Sequence, residues 1–312
     1  RALSSAASDV YKRQQYFTLI STAMMSVTRI FVMYTKSAAS ARRIEEIIDT
    51  EEDLKVLPES EHPDINTSAH IVFKDVSFSY NGVKDNISGL NLEIAHGGSL
   101  GIIGATGSGK STLIKLLMRF YDVGKGSIYI DGKDICTIPK EKLYSMFGCA
   151  MQNDFLYADT IEENIRFGRD ISHGEIVSAA KTAQADGFIS AIPDGYSHML
   201  AVKGSNLSGG QKQRLLISRA VAGKPDILIL DDSSSALDYK TDANLRRALS
   251  ADMKGTTVIT VAQRVSSVKS CDKILVLNNG MPSGYGTHDE LMRTCEEYRE
   301  ISESQMGGDF VE

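Results

Sequence analysis

The sequence has no tryptophan, only six prolines in 312 residues and four cysteines. Cys136, Cys149, Cys271 and Cys295 stand too far apart for any C-x-x-C pair. That spacing argues against zinc sites and redox pairs, and it offers no disulfide framework. A reducing compartment fits best. A basic excess is also missing: 34 Lys and Arg face 40 Asp and Glu, a net charge of −6. This argues against a general nucleic-acid binder, so no nucleic-acid partner is expected. No internal repeat is visible. Hydrophobic residues make up 42% and charged residues 24%. That balance excludes a disordered or collagen-like chain, and the length suits about two domains with a substantial core.

Residues 1–14 show neither a helical nor a strand period and lack the apolar core of a signal peptide. They read as an uninformative lead. From Tyr16 to Tyr34 a single charge, Arg29, occurs in nineteen positions, enough length to span a bilayer. Thr18, Thr22, Ser26 and Arg29 share one helical face, and Ile20, Ala23, Val27, Phe31 and Tyr34 the other. Two readings stay open: a membrane helix lining an aqueous cavity, or an amphipathic helix of a soluble bundle. Lys36, Arg42 and Arg43 follow the apolar run, and for a membrane helix they put its C-terminal side in the cytoplasm. Residues 50–69 read as a linker, acidic and polar with two prolines over Thr50–Thr67.

Beyond the linker the pattern turns to strands. His70–Tyr80 is rich in β-branched and aromatic residues, Asn91–Ile94 alternates, and Ser127–Ile130 precedes the hairpin signal Asp131-Gly132. This region has antiparallel character. Ser99–Ile103 is then a short apolar strand, and Leu113–Phe120 reads as helix. Between them lie Gly104, Ala105, Thr106, Gly107, Ser108, Gly109, Lys110, Ser111 and Thr112. Strand, glycine-rich loop and helix in that order describe a phosphate-binding loop. Glycines let backbone N–H groups approach phosphate oxygens without a Cβ in the way, and the helix N-terminus faces the same anion. Lys110 is expected to reach the β- and γ-phosphates, and the Ser111 hydroxyl to ligate Mg²⁺. An acidic residue ending a buried strand should complete the site. Ile227-Leu228-Ile229-Leu230-Asp231 supplies it, with Asp231 at the strand's C-terminal end as a Mg²⁺ holder.

Ahead of that strand stand Leu207, Ser208, Gly209, Gly210 and Gln211. They resemble the signature motif of the ATP-binding cassette (ABC) family. Other pieces align in order. Tyr80 looks like the aromatic residue that stacks on adenine, and Gln152 like the glutamine that contacts Mg²⁺ and links nucleotide to membrane domain. Ser235-Ala236-Leu237-Asp238 looks like the loop crossing between dimer halves, and Gly286–Leu291 like the segment that closes such domains. The resemblance covers roughly His70 to Ile301, and residues 70–304 are expected to form the nucleotide-binding domain, with 305–312 a tail. It implies an α/β fold: a P-loop NTPase core with a parallel sheet, an antiparallel β subdomain and a helical subdomain. It also implies that residues 15–49 are the last transmembrane helix of an exporter-type protein and its cytoplasmic extension, preceding a cytoplasmic ATPase at the cell membrane. The cofactors implied are ATP and Mg²⁺.

Three residues depart from the family pattern. The glutamate that usually polarises the attacking water is Asp232, one methylene shorter. The histidine that usually contacts the γ-phosphate is Gln263, which donates a hydrogen bond but carries neither charge nor proton. Val202 stands where many exporters have glutamate. Together Asp232 and Gln263 suggest a site that binds ATP and hydrolyses it slowly. Family members clamp two ATPs between two cassettes, each site combining one phosphate loop with the other chain's signature. An impaired loop half beside an intact signature implies a heterodimer with a second exporter half. The alternatives are a regulatory nucleotide-binding module with negligible ATPase, or a soluble ABC ATPase. The transported substrate is not legible.

Overall fold

The computed structural model describes residues 2–51, 53–152, 154–233 and 235–306; most of the expected 305–312 tail lies outside them. The chain divides into two units, Arg1–Lys55 and Val56–Glu312. In the first, one helix, α1, runs Ala2–Ile48. It includes residues 2–14, where the sequence shows no period. This corrects the aperiodic reading: Ala, Leu, Lys, Arg and Gln favour helix at little rotamer cost, with or without a periodic face. By length and composition the span Asp9–Ile48 is able to cross a membrane. The hydroxyls of Thr18, Thr22 and Ser26 each donate to the carbonyl four residues earlier, at 3.0, 2.9 and 2.9 Å. The polar face is thereby partly satisfied by its own helix, which lowers the cost of removing it from water.

The second unit alternates strands and helices. Its first half holds β1 (Ala69–Phe78), β2 (Ile87–Ala95), β3 (Ser99–Ile103), α2 (Lys110–Leu117), β4 (Lys125–Ile130), β5 (Lys133–Asp134), α3 (Lys140–Ser145) and β6 (Phe147–Ala150). Then come α4 (Ile161–Arg166), α5 (His173–Thr182), α6 (Asp186–Ala191), α7 (Gly209–Val221), β7 (Ile227–Asp231), α8 (Tyr239–Asp252) and β8 (Thr257–Val261). The unit closes with α9 (Val265–Val268), β9 (Lys273–Asn278), β10 (Met281–Gly286), α10 (His288–Thr294) and α11 (Glu296–Met306).

Two sheets result. One is antiparallel, in the order β2-β1-β4-β5; the other is ordered β10-β9-β3-β8-β7-β6 and is parallel except for the β9–β10 hairpin. The Asp131-Gly132 signal makes the β4–β5 turn, with φ of 52° and 77°, the two positive values a type I′ hairpin needs. All five residues of β7 are buried, as a central strand covered on both faces requires. Ile114, Leu116 and Leu117 of α2 fill the space shared by both sheets with Ile71, Leu90, Ile102 and Leu275. Each such fully buried Leu or Ile contributes about 1.5–3 kcal/mol. A second core joins Ile161, Ile165, Ile176, Leu215 and Ile217 of the helical group to Leu228 and Leu230 of β7. The mixed α/β architecture thus matches the expected one. Residues 57–65, expected within the linker, run along the β4–β5 end: Leu57 N–H donates to Cys136 O at 2.9 Å and Ile65 N–H to Gly132 O at 2.8 Å.

Candidate nucleotide site

The chain leaves β3 through a loop in which space and backbone both demand glycine. Gly104 has φ 156°, and a Cβ there would come within 2.1 Å of the Leu277 carbonyl oxygen; at Gly109, φ 103°, it would come within 2.8 Å of the Asn86 carbonyl oxygen. Gly109 is also the N-cap of α2 and offers no side-chain cap. The first N–H groups of the helix are therefore left for another acceptor, the arrangement that receives phosphate. Lys110 Nζ folds back onto the Gly104 and Ala105 carbonyls, both at 2.8 Å. Burial lowers its pKa from the ordinary lysine value, against the pull of Asp231 and Asp232.

The parallel sheet brings β7 near this loop, two strands away across β8. Asp231 ends β7, only 4% exposed, and its Oδ2 accepts a weak bond from Ser111 Oγ at 3.4 Å. Burial pushes its carboxyl up from the usual range, and the neighbouring charge of Asp232 pushes it further. Burial raises Asp232 as well, with Lys110 and Arg264 opposing. Two adjacent carboxylates and the Ser111 hydroxyl gather oxygen donors beside the loop. That donor set fits Mg²⁺, a hard cation that takes a carboxylate and a hydroxyl while keeping several waters.

Asp232 turns away from β7 with φ 51°, uncommon for a non-glycine residue, while its N–H donates to Val261 O at 2.9 Å. Two amides reach its Oδ2: Gln152 Nε2 at 3.4 Å and Gln263 Nε2 at 3.3 Å. The Gln263 carbonyl accepts from Gln305 Nε2 of α11 at 2.8 Å. Thr106, Gly107, Gly109, Lys110, Ser111, Thr112, Gln152, Asp231, Asp232 and Gln263 together line one cleft of about 320 Å³. Gly104 and Ser108 do not line it; the Ser108 hydroxyl is buried with no hydrogen-bond partner among the described residues.

Tyr80 is half exposed beside the loop. Phe78 and Tyr121 meet its ring edge-on at 4.9 and 5.1 Å between centroids, and its hydroxyl lies 3.4 Å from Thr112 Oγ1. The supported ring is placed to offer a stacking surface. Ser208, Gly209, Gly210 and Gln211 stand apart from the cleft's wall. They start α7 with a capping box: Ser208 Oγ accepts from Gln211 N–H at 3.3 Å, and Gln211 Oε1 accepts from Ser208 N–H at 2.9 Å. Ser208 and Gly209 are exposed. The acceptor role leaves the serine O–H proton to donate outward.

Sequence reasoning missed Asn86 and Tyr121. Asn86 lines the cleft, accepts from Tyr80 N–H at 3.1 Å through Oδ1, and sets the closeness that makes Gly109 necessary. No local pattern marks it, because the backbone that packs closely against it, Gly109 and Gly280, comes from distant segments.

Comparison with known proteins is consistent with this geometry. The family model described as ABC transporter matches residues 87–235. The ABC transporter ATP-binding protein YknU of Bacillus subtilis is 40% identical over 295 residues, 93% of this chain and 50% of the relative. A fatty acid ABC transporter ATP-binding/permease protein of Mycobacterium tuberculosis is 35% identical over 279 residues, 89% of this chain and 44% of the relative. Among solved structures, a bacterial Atm1-family ABC exporter with ATP bound superposes with a TM-score of 0.80 at 35% identity, over 87% of this chain and 48% of that one. The chain spans about half the length of the curated relatives it matches.

Proposed function

This chain carries an ABC transporter ATP-binding domain, and from that premise we propose that it is the ATP-binding part of one half of a heterodimeric exporter. Its own site turns over slowly, and its signature loop serves the ATP of the second half. The observation that carries the reading is the company of Asp232. A complete phosphate loop and a buried Asp231 stand beside a shortened carboxylate that is met by two neutral amides, from Gln152 and Gln263.

The loop N–H groups and Lys110 hold the phosphates, and Tyr80 stacks on the base. Ser111, Asp231 and Gln152 would hold Mg²⁺, which when bound would supply positive charge against phosphate oxygens. Asp232 orients the attacking water, from a stem one methylene too short. A misplacement of about 1 Å in such a group costs about 10²-fold in rate. Gln263 donates one hydrogen bond to the γ-phosphate but supplies no positive charge. The membrane assignment is supported by α1, which is long and apolar enough to cross a bilayer; residues 15–49 are read as the last transmembrane helix with its cytoplasmic extension, and the ATPase as a cytoplasmic domain of a membrane protein. Export is proposed for the whole protein, with the substrate left open.

Calorimetry with Mg-ATP tests the base of this reading. Lys110→Ala should weaken binding at least about tenfold, the loss expected when a charge-assisted contact to phosphate disappears. Equal affinity for the two proteins would overturn the site as drawn.

A further inference from the structure

At the opposite ends of the strands that lead to the nucleotide cleft, we propose that His70, His96 and Asp131 form a binding site for a zinc-like divalent transition metal. His70 lies at the start of β1, His96 in the turn between β2 and β3, and Asp131 in the β4–β5 turn. The cysteine spacing hides such a site, because its ligands are histidine and carboxylate from three separate segments.

His70 is the fixed ligand. It is 3% exposed, and its Nδ1 lies 2.6 Å from Thr257 Oγ1 at the start of β8. The Thr257 oxygen also accepts from Gly97 N–H at 3.2 Å and donates to the Ala95 carbonyl at 3.4 Å. The Ala95 carbonyl gives the threonine proton an alternative acceptor, so a metal at Nε2 selects the tautomer in which His70 Nδ1 donates on the short bond. Nε2 is then the unprotonated nitrogen, the tautomer a metal requires, held by an outer partner as ligating histidines are. Burial lowers the His70 pKa and so favours the neutral ring; Asp131 opposes it, and His96 adds to it.

The other two ligands are adjustable. The His96 ring stacks on His70 at 4.4 Å between centroids and 14° between planes. His96 Nε2 lies 3.0 Å from Asp131 Oδ1, and His70 Nε2 lies 3.8 Å from the same oxygen. All three ligand atoms fall within 4.8 Å of one another. A tetrahedral site with bonds of about 2.0–2.1 Å places its ligand atoms about 3.3 Å apart. Parallel rings have parallel lone pairs, so closure needs a tilt of His96. That side chain is exposed on a turn and free to make it, as is Asp131. Two imidazoles and one carboxylate suit Zn²⁺, Co²⁺ or Ni²⁺ better than Mg²⁺ or Ca²⁺, and a fourth position stays open to water. None of the three residues lines the nucleotide cleft. A bound ion would tie three segments of the antiparallel sheet together beside Thr257 of the parallel one.

The test uses the untagged chain stripped with a chelator and titrated with ZnCl₂ by calorimetry, with CoCl₂ as a spectroscopic probe. One equivalent should bind, with visible cobalt bands of a four-coordinate site, and zinc should raise the thermal midpoint. His96→Gln and Asp131→Asn should each weaken zinc at least about tenfold; asparagine tolerates the positive φ of position 131. Thr257→Val should weaken it about 10-fold through the His70 ring. Mg-ATP affinity should be unchanged in the His96 and Asp131 variants, which shows that they remain folded. Absence of a one-equivalent site in the wild type overturns the proposal, as does zinc binding that neither His96→Gln nor Asp131→Asn alters.

Discussion

The side-chain amide of Gln263 donates to the carboxylate of Asp232 across 3.3 Å. Two of the three positions where the sequence leaves the family pattern are therefore partners. Each should report on the other. Steady-state ATPase of the chain alone is expected to be slow. Asp232→Glu should raise it only in part, because Gln263 remains. Asp232→Glu with Gln263→His should raise it by more than the product of the single effects, as for groups acting together on one water and one phosphate. Multiplicative single effects, or a wild type already as fast as the double variant, would contradict this.

Much of the fold and of that site was legible because the signals are local. The glycine spacing from Gly104 to Gly109, the strands at Ser99–Ile103 and Ile227–Asp231 and the Asp131-Gly132 turn all depend on neighbours in sequence. What escaped depends on distant partners. Asn86 matters because Gly109 and Gly280 come close to it, and Tyr121 because it props Tyr80. The pairing of His70 with Thr257 spans 187 positions. Residues 2–14 were missed for another reason: a helix driven by propensity alone leaves no periodic trace.

Asp231 should cost stability in the nucleotide-free chain. Its folded pKa is raised by burial and by Asp232, so ionising it is harder in the folded state than in the unfolded one. Below the ordinary aspartate value both states are protonated and the penalty is absent. It develops as pH rises from that value through the raised folded value, and it is full above it. Asp231→Asn should therefore melt higher than the wild type at neutral pH without nucleotide. The difference should shrink as pH falls through that window. The same variant should lose the stabilisation that Mg-ATP gives the wild type. A lower neutral-pH midpoint for the variant, measured by calorimetric scanning, would contradict the electrostatic account.

The cysteines should be silent until the chain opens. Burial pushes Cys136, Cys149 and Cys271 up to about 12, far above the pH at which a free thiol reacts. Cys295 is buried among Val276, Leu291 and Tyr298. Mass spectrometry after iodoacetamide at pH 8 should find no rapid labelling in the folded chain and four labels in denaturant. Fast labelling of Cys149 under native conditions would mean that β6 opens readily.

The signature loop should matter more to the assembled pair than this chain's own catalytic positions. Ser208 caps α7 with its Oγ as acceptor, which leaves its O–H proton available to donate, and the positive end of the α7 dipole lies beside it. A partner's γ-phosphate there would meet the hydroxyl, the glycine N–H groups and that dipole together. Ser208→Arg places a long side chain where the phosphate would lie and also removes a cap worth about 1 kcal/mol. Ser208→Asn separates the two effects, since asparagine caps equally well but lacks the hydroxyl. In a reconstituted heterodimer, Ser208→Arg should nearly abolish ATPase activity, and Ser208→Asn should lower it strongly without shifting the thermal midpoint. On the heterodimer reading Asp232→Asn should lower it only mildly, because the site it disables is expected to be the slow one. If Asp232→Asn proves as damaging as Ser208→Arg, the chemistry runs through this chain's own cleft and the division of labour between the two halves is wrong.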